Sequence, residues 1–191
     1  MKIICAENGL GVAGGEYLTM LPDSAVLREN DDFYMPAFSG DVVCGCGVLV
    51  RINRLAKCLA AKYAARCYDA VGAGAAFVAR DIVRQAVAAG RPCDEAYCFD
   101  RSFAVSPVWI EAESIGETVS LHATIGEREI SAEITDLRHL IDEGISRASH
   151  LATLKTGDMV FVGLPASNEV RAGDGIEVRL NDCQLLCFGI K

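Results

Sequence analysis

The segment Val42-Val43-Cys44-Gly45-Cys46-Gly47-Val48-Leu49-Val50-Arg51-Ile52 constrains this chain more than any other stretch. β-Branched residues dominate it, and such side chains pack well on a pleated, half-buried surface. Two glycines interrupt the run without ending it, so a long strand is expected over 42–52. Val71–Ala79 reads as a second, buried strand, with shorter ones over 2–6, 105–111, 159–162, 175–180 and 184–188. Val119–Ile125 and Glu127–Ile134 meet at Gly126, which predicts a hairpin. Phe33-Tyr34-Met35-Pro36 is short and extended, ended by its proline.

Helices are few. Leu55, Cys58, Leu59 and Tyr63 recur at helical spacing and predict a helix over 55–66. Asp81–Ala89 predicts an amphipathic helix that opens on an acidic residue, favourable beside the positive end of the helix dipole. Thr135 is a suitable N-cap for a helix with Leu137, Leu140, Ile141 and Ile145 on one face. Strands dominating over helices indicate an α+β fold on a curved antiparallel or mixed sheet. At 191 residues, the chain is expected to form one domain over 1–191.

Composition excludes several functions. The net charge of −8 opposes nonspecific attraction to nucleic acid or to an anionic membrane. No uncharged stretch is long enough to span a bilayer. Glu7 follows the Met1–Ala6 segment at once, so no signal peptide is expected. Nine cysteines are too sparse for a disulfide scaffold and cannot all pair internally. A reducing, cytoplasmic setting is therefore expected.

Three patterns resemble chemical sites. Gly9-x-Gly11-x-x-Gly14 has the spacing of a dinucleotide loop, but Pro22 leaves no room for the helix whose N-terminus would hold a pyrophosphate. A plain glycine loop is the reading that stands. Cys44-x-Cys46 and Cys183-x-x-x-Cys187 invite zinc, yet Cys44 and Cys46 fall in a strand pattern, where buried cysteine acts as a small hydrophobe. Of the three histidines, His139 lies opposite the apolar helix face, His150 near the helix end and His122 in mid-strand. None is marked as catalytic by its neighbours.

The stretch Asp41–Leu55 resembles the central strand of the fumarylacetoacetate hydrolase family. The resemblance continues through Pro22-Asp23-Ser24-Ala25, Phe33-Tyr34-x-Pro36-x-Phe38-Ser39, Tyr68-Asp69, Gly72-x-Gly74 and Phe77-x-Ala79-Arg80-Asp81. It resumes at Phe99-Asp100, Trp109-Ile110, Leu154-Lys155-Thr156-Gly157-Asp158 and Phe161-x-Gly163-x-Pro165. Only His122–Ile134 diverges. It implies a β-rich roll of mixed or antiparallel sheet with a few peripheral helices, commonly dimeric. It also implies a divalent metal that polarises oxo and enol oxygens during C–C hydrolysis, decarboxylation or isomerisation of oxo and diketo acids.

Carried over position by position, the polar site is substituted. The Glu-x-Glu ligands fall on Gly45 and Gly47, and the aspartate ligand falls on Ala76. The family's lysines fall on Leu21 and on Tyr97 or Cys98, its glutamine on Val83 and its threonine on Leu164. The family's Asn-Tyr-x-x-His aligns with Asn8-Gly9-x-x-Val12. Arg80 survives as a low-lying candidate for holding a substrate carboxylate, whereas Asp81 is as easily a helix N-terminal acid. No catalytic residue and no metal ligand is therefore assigned, and the family's Mg²⁺, Mn²⁺ or Ca²⁺ is not expected here.

Cys44 and Cys46 alternate with the glycines and face the other side of the sheet, so they cannot replace the carboxylates. Loss of the large acids suggests a vacant or repurposed apolar pocket. These substitutions predict a binding or dimerising pseudoenzyme, either a homodimer or a mixed dimer with an intact paralogue. It would bind at most a small oxo acid, with no nucleic-acid or membrane partner. The alternative is a hydrolase, decarboxylase or isomerase of oxo or diketo acids with altered, metal-independent chemistry.

Overall fold

The computed structural model describes residues 1–6, 18–163 and 168–191. The Gly9–Gly14 loop pattern, Asn8, Val12, Leu164 and Pro165 lie outside the described residues. The expected long strands form: β4 covers Val42–Ile52 and β5 covers Tyr68–Ala79. They pair antiparallel along almost their whole length, from Val42 opposite Ala79 to Ile52 opposite Tyr68.

Around this pair grows a mixed sheet. β1 (Lys2–Ala6) lies between β2 (Leu18–Pro22) and β10 (Met159–Gly163), parallel to β10. β10 pairs with β4, and on the other side β5 pairs with β6 (Phe103–Val105), which pairs with the two-residue β3 (Val26–Leu27). β7 (Ile110–Glu111) adds to β5, and β11 (Asn168–Glu169) adds to the edge of β4 beyond β10. A second, antiparallel sheet runs in the order β13 (Cys183–Gly189), β12 (Gly175–Leu180), β8 (Val119–Ile125), β9 (Arg128–Ile134).

Strand alternation divides the interior in two. Cys44, Cys46, Val48 and Phe77 point into a larger core shared with the second sheet through Val178, Leu186 and Phe188. Phe77 stacks on Phe33 with ring centroids 3.7 Å apart and meets Phe188 edge-on at 6.2 Å. Their neighbours Val43, Leu49, Ala76 and Val78 point the other way, into a smaller core with Ile3, Cys5, Leu21, Phe103, Met159 and Phe161. Six strands of one sheet contribute to that smaller core, so the sheet curls around it. The outcome is a mixed α+β fold, mostly strand, as expected.

Among the described residues, three α-helices flank the strands: α1 (Arg80–Ala88), α2 (Asp94–Tyr97) and α3 (Leu137–Leu151). None of the described helices is long and apolar enough to cross a membrane. The hairpin turn at Gly126 forms, with Gly126 at φ +58° and Ile125 opposite Arg128. A positive φ costs glycine nothing, which explains the residue chosen there.

Three local expectations are corrected. No α-helix covers 55–66: Ala56 bridges to Leu154, Cys58 sits at φ +49°, and only Ala61–Arg66 forms a 3-10 turn. Leu55 and Tyr63, counted as its apolar face, are solvent-exposed, and Tyr63 is instead flanked by Lys62 and Arg66 at 5.0 and 5.4 Å. The strand expected over 105–111 is split, because Ser106 turns back to accept Ala73 N–H and to donate to the Val108 carbonyl. Thr135 does not cap α3. The cap is Asp136 at φ +53°, and the Leu137 N–H donates to the Glu117 carbonyl instead.

Among the described residues the interior also holds a buried acid. Asp158 is buried and accepts hydrogen bonds from the Lys2 backbone, the Lys2 ammonium and the Lys155 N–H. Burial opposes its ionisation, but these bonds outweigh it and hold the carboxyl below its usual range.

Candidate active site

Pairing of β4 with β5 sets Gly45 opposite Ala76 and Gly47 opposite Gly74, while β10 sets Gly163 opposite Gly47. Small residues on three adjacent strands thus make a low floor beneath the smaller core. Two rings rest on it. Phe161 and Phe103 are fully buried and meet edge-to-face, with centroids 5.0 Å apart and planes at 85°. A Cβ added at Gly47 would lie on the Gly163 Cα, 2.6 Å from the Val162 carbonyl oxygen and 2.9 Å from the Phe161 ring. One added at Gly74 would lie 2.6 Å from Phe103 and 3.0 Å from Phe161. The apolar space expected beside Gly47 is therefore occupied by side chains, and the glycines are what let the rings seat against the backbone.

The sequence-aligned positions converge here. Leu21, Ala76 and Tyr97 belong to the smaller core, and Val83 and Cys98 pack against it. These residues arrive from β2, β5, α2 and α1, so a site scattered in sequence is one place in the fold. Between Tyr97 and Cys98, Tyr97 is the buried one. Cys98 is half-buried, its Sγ lying 3.5 Å from the Met20 carbonyl. Burial, then the nearby Asp94 carboxylate, pushes the Cys98 thiol up.

Cys44 and Cys46 do face the opposite core. Their mutual hydrogen bond and their burial push the Cys44 thiol well up, so it stays protonated and chemically inert. All nine cysteines are free. Among the described residues, no three His, Cys, Asp or Glu side chains gather as a metal would require.

Arg80 opens α1 directly after β5. Its Nε lies 3.0 Å from both Asp41 carboxylate oxygens, and one terminal nitrogen donates to Oδ1 at 2.7 Å. Arg84, one helical turn on, donates to the other Asp41 oxygen at 2.5 Å. The Arg80 hydrogen bond, then the Arg84 bond, holds the Asp41 carboxyl below its usual range, and Asp41 in turn raises Arg80. Asp81 accepts from Ser39 Oγ at 2.6 Å, Gly40 N and Ile82 N, which ties the loop before β4 to the start of α1. Sequence reading had missed Asp41 as the partner of Arg80, and had missed the ring pair. The Phe161-x-Gly163 and Gly72-x-Gly74 spacings were the available signal, since an aromatic beside paired glycines marks a close approach.

The fumarylacetoacetate (FAA) hydrolase C-terminal family profile matches residues 12–189. The chain belongs to this family. Over 191 aligned residues it is 26% identical to oxaloacetate tautomerase YcgM of Escherichia coli (strain K12), covering 93% of this chain and 87% of that protein. Its fold superposes on fumarylpyruvate hydrolase from Pseudomonas aeruginosa, solved with Mn²⁺ and pyruvate, with a TM-score of 0.86 at 18% identity. That match covers 100% of this chain and 89% of that one. It also superposes on 5-carboxymethyl-2-hydroxymuconate delta-isomerase from Mycobacterium smegmatis, with a TM-score of 0.83 at 21% identity over 99% and 78% of the two chains.

These relatives overturn one expectation from the sequence. A non-catalytic binding or dimerising protein was the leading reading, because large acids were missing from aligned positions. The relatives are named for catalysis, and the tautomerase matches nearly the full length. Carboxylates absent from the expected positions would count against one way of running the chemistry, not against chemistry as such. An inference from absent ligands to absent activity assumed that the reaction needs them.

Proposed function

We propose that this protein is an enzyme that interconverts keto and enol forms of a small 2-oxo acid without a divalent metal. The observation that carries the reading is the near full-length match to an oxaloacetate tautomerase. Three features of the site support the metal-free part. Positions 45, 47 and 76 bear no side-chain oxygen, whereas a hard cation such as Mg²⁺ or Mn²⁺ needs oxygen ligands. The thiols beside them face the wrong core and are soft donors. The floor is covered by Phe161 and Phe103, and a longer side chain at Gly47 would run into backbone. This donor set does not fit the cation bound by the Pseudomonas aeruginosa relative.

Tautomerisation is the family-type reaction that asks least of such a site. A proton leaves the carbon next to the oxo group, the C–H electron pair becomes the enol double bond, and a proton joins the oxo oxygen. No water is activated and no C–C bond breaks. General acid–base transfer by positioned side chains supplies typically 10²–10⁴-fold. Arg80 is assigned the substrate carboxylate. Its bonds to Asp41 use Nε and one terminal nitrogen, and a guanidinium carries five N–H donors.

The test follows enol absorbance during ketonisation of oxaloacetate and a panel of acylpyruvates and other 2-oxo acids, with chelator present. Catalysed exchange that survives chelation is expected. In Arg80→Ala, loss of a charge-assisted bond worth about 1.5–3 kcal/mol raises KM roughly 10- to 150-fold. No turnover across the panel, or turnover abolished by chelator and restored by Mg²⁺ or Mn²⁺, would overturn the proposal.

A further inference from the structure

A groove of about 520 Å³ opens between β2, α1 and α2, within the size range of ligand sites. Met20, Val83, Val87 and Leu151 give it an apolar lining, and among the described residues Asp94 is the sole charged one on its wall. Of the nine large apolar side chains exposed among the described residues, Met20, Val87 and Leu151 converge there. The groove borders the smaller core. Tyr97 lines it and is at the same time buried in the cluster that holds Ala76, Phe103 and Phe161, while Val83 and Cys93 both line it and pack against that cluster.

We infer that this groove receives the side chain of the oxo acid, and that this side chain is apolar and uncharged rather than a second carboxylate. The inference rests on the oxo-acid reading above and names its substrate class. A dicarboxylic acid would bring its far carboxylate against an apolar wall and toward Asp94, with no Lys, Arg or His among the described lining residues to meet it. A desolvated, unpaired anion beside a like charge is strongly disfavoured. An alkyl or aryl tail meets neither obstacle.

The larger polar cavity beside β4 and β5 carries Arg51, Arg66 and Arg138 and is a mixed-charge seat of a different kind from the groove. Its Arg51 is paired with Asp69 at 3.3 Å, and Arg138 donates to the Ile115 carbonyl at 2.9 Å. Glu111 and Glu113 lie on the same wall.

The experiment compares kcat/KM for 4-methyl-2-oxopentanoate and phenylpyruvate with that for oxaloacetate and 2-oxoglutarate. It uses the wild type and Val87→Arg, which places a cation on the groove wall at a residue 66% exposed. The apolar acids are expected to lead by roughly tenfold or more, the scale on which a hydrophobic pocket separates substrates. Val87→Arg should narrow or reverse that lead.

In parallel, binding of the unreactive 4-methylpentanoate and succinate is followed by protein NMR. Turnover that favours the dicarboxylic acids, unchanged by Val87→Arg, overturns the inference and leaves the tautomerase reading intact. No turnover, with 4-methylpentanoate perturbing the groove resonances and succinate not, sinks the tautomerase reading and keeps the groove's preference. Absence of both overturns both.

Discussion

Gly47→Ala is the smallest change that probes whether the site floor is rebuilt around Phe161 and Phe103. The added methyl would lie on the Gly163 Cα, 2.6 Å from the Val162 carbonyl oxygen and 2.9 Å from the Phe161 ring. Two of these neighbours are backbone atoms of β10, which is hydrogen-bonded to β1 on one side and to β4 on the other. They cannot yield by a rotamer change, and the ring is held by Phe103. Overpacking a core typically costs about 1–3 kcal/mol. With backbone as the obstacle, Gly47→Ala is expected at or above the upper end, about 3 kcal/mol. In a chain of this size that lowers Tm by roughly 6–12 °C.

Gly40→Ala is the control, because a Cβ there meets nothing within 4 Å, and its cost should stay within about 0.5 kcal/mol. Urea unfolding followed by circular dichroism reads both variants, with an unchanged m-value as the condition for comparison. A Gly47→Ala cost under about 1 kcal/mol would refute the steric reasoning. The same logic covers the larger change: Gly45→Glu, Gly47→Glu and Ala76→Asp together should lose stability without gaining micromolar affinity for Mn²⁺. A folded triple variant that binds Mn²⁺ tightly by calorimetry would show that the floor has room for the cation after all.

Phe161→Ala should cost about 3–5 kcal/mol, since it empties the centre of the smaller core and strips Phe103 of its edge-to-face partner. Phe161→Leu should cost distinctly less in the same urea titration. Asp158→Asn should cost about 3–5 kcal/mol, because it leaves a largely buried Lys2 ammonium unpaired. Asp158 is also a pH reporter. Its folded carboxyl titrates below the unfolded value of about 3.9, so its contribution is complete above that pH and fades as pH falls through the folded value. The wild type should therefore lose stability below about pH 4 more steeply than Asp158→Asn, and equal acid slopes would contradict the assignment.

Long strands and their facing were legible because they depend on a local period of two. Val42–Ile52 was read with its final boundaries, and alternation alone sent Cys44 and Cys46 to one core and Gly45 and Gly47 to the other. The Leu55–Arg66 region misled because apolar spacing says nothing about whether a partner surface exists. Leu55 and Tyr63 have none and face solvent. Thr135 misled for a related reason: the N–H groups of α3 were satisfied from a distant loop at Glu117, which no local pattern encodes. The site was half legible. Arg80 could be named from its motif, but Asp41 lies 39 residues away and becomes its partner only when β4 and β5 pair.

A floor of Gly and Ala bears on the function proposed above. A cluster of carboxylates without a cation repels itself and desolvates badly, so a chain that retained it would be committed to the metal. Here the floor is flat, and the volume above it is filled by Phe161 and Phe103, an edge-to-face pair of a kind worth about 0.5–1.5 kcal/mol beyond its buried area. The smaller core is therefore a packing element in its own right, which is the basis for proposing a reaction that activates no water against a C–C bond. A groove lies at its margin, with Tyr97 and Val83 on its lining. Under the function proposed above, a substrate at this margin needs only to be held and to exchange a proton. The groove's missing cation then limits which oxo acids can be held. In the proposed reading both restrictions arise from the same apolar floor, so specificity and reaction type are expected to change together in any variant that places acids on it.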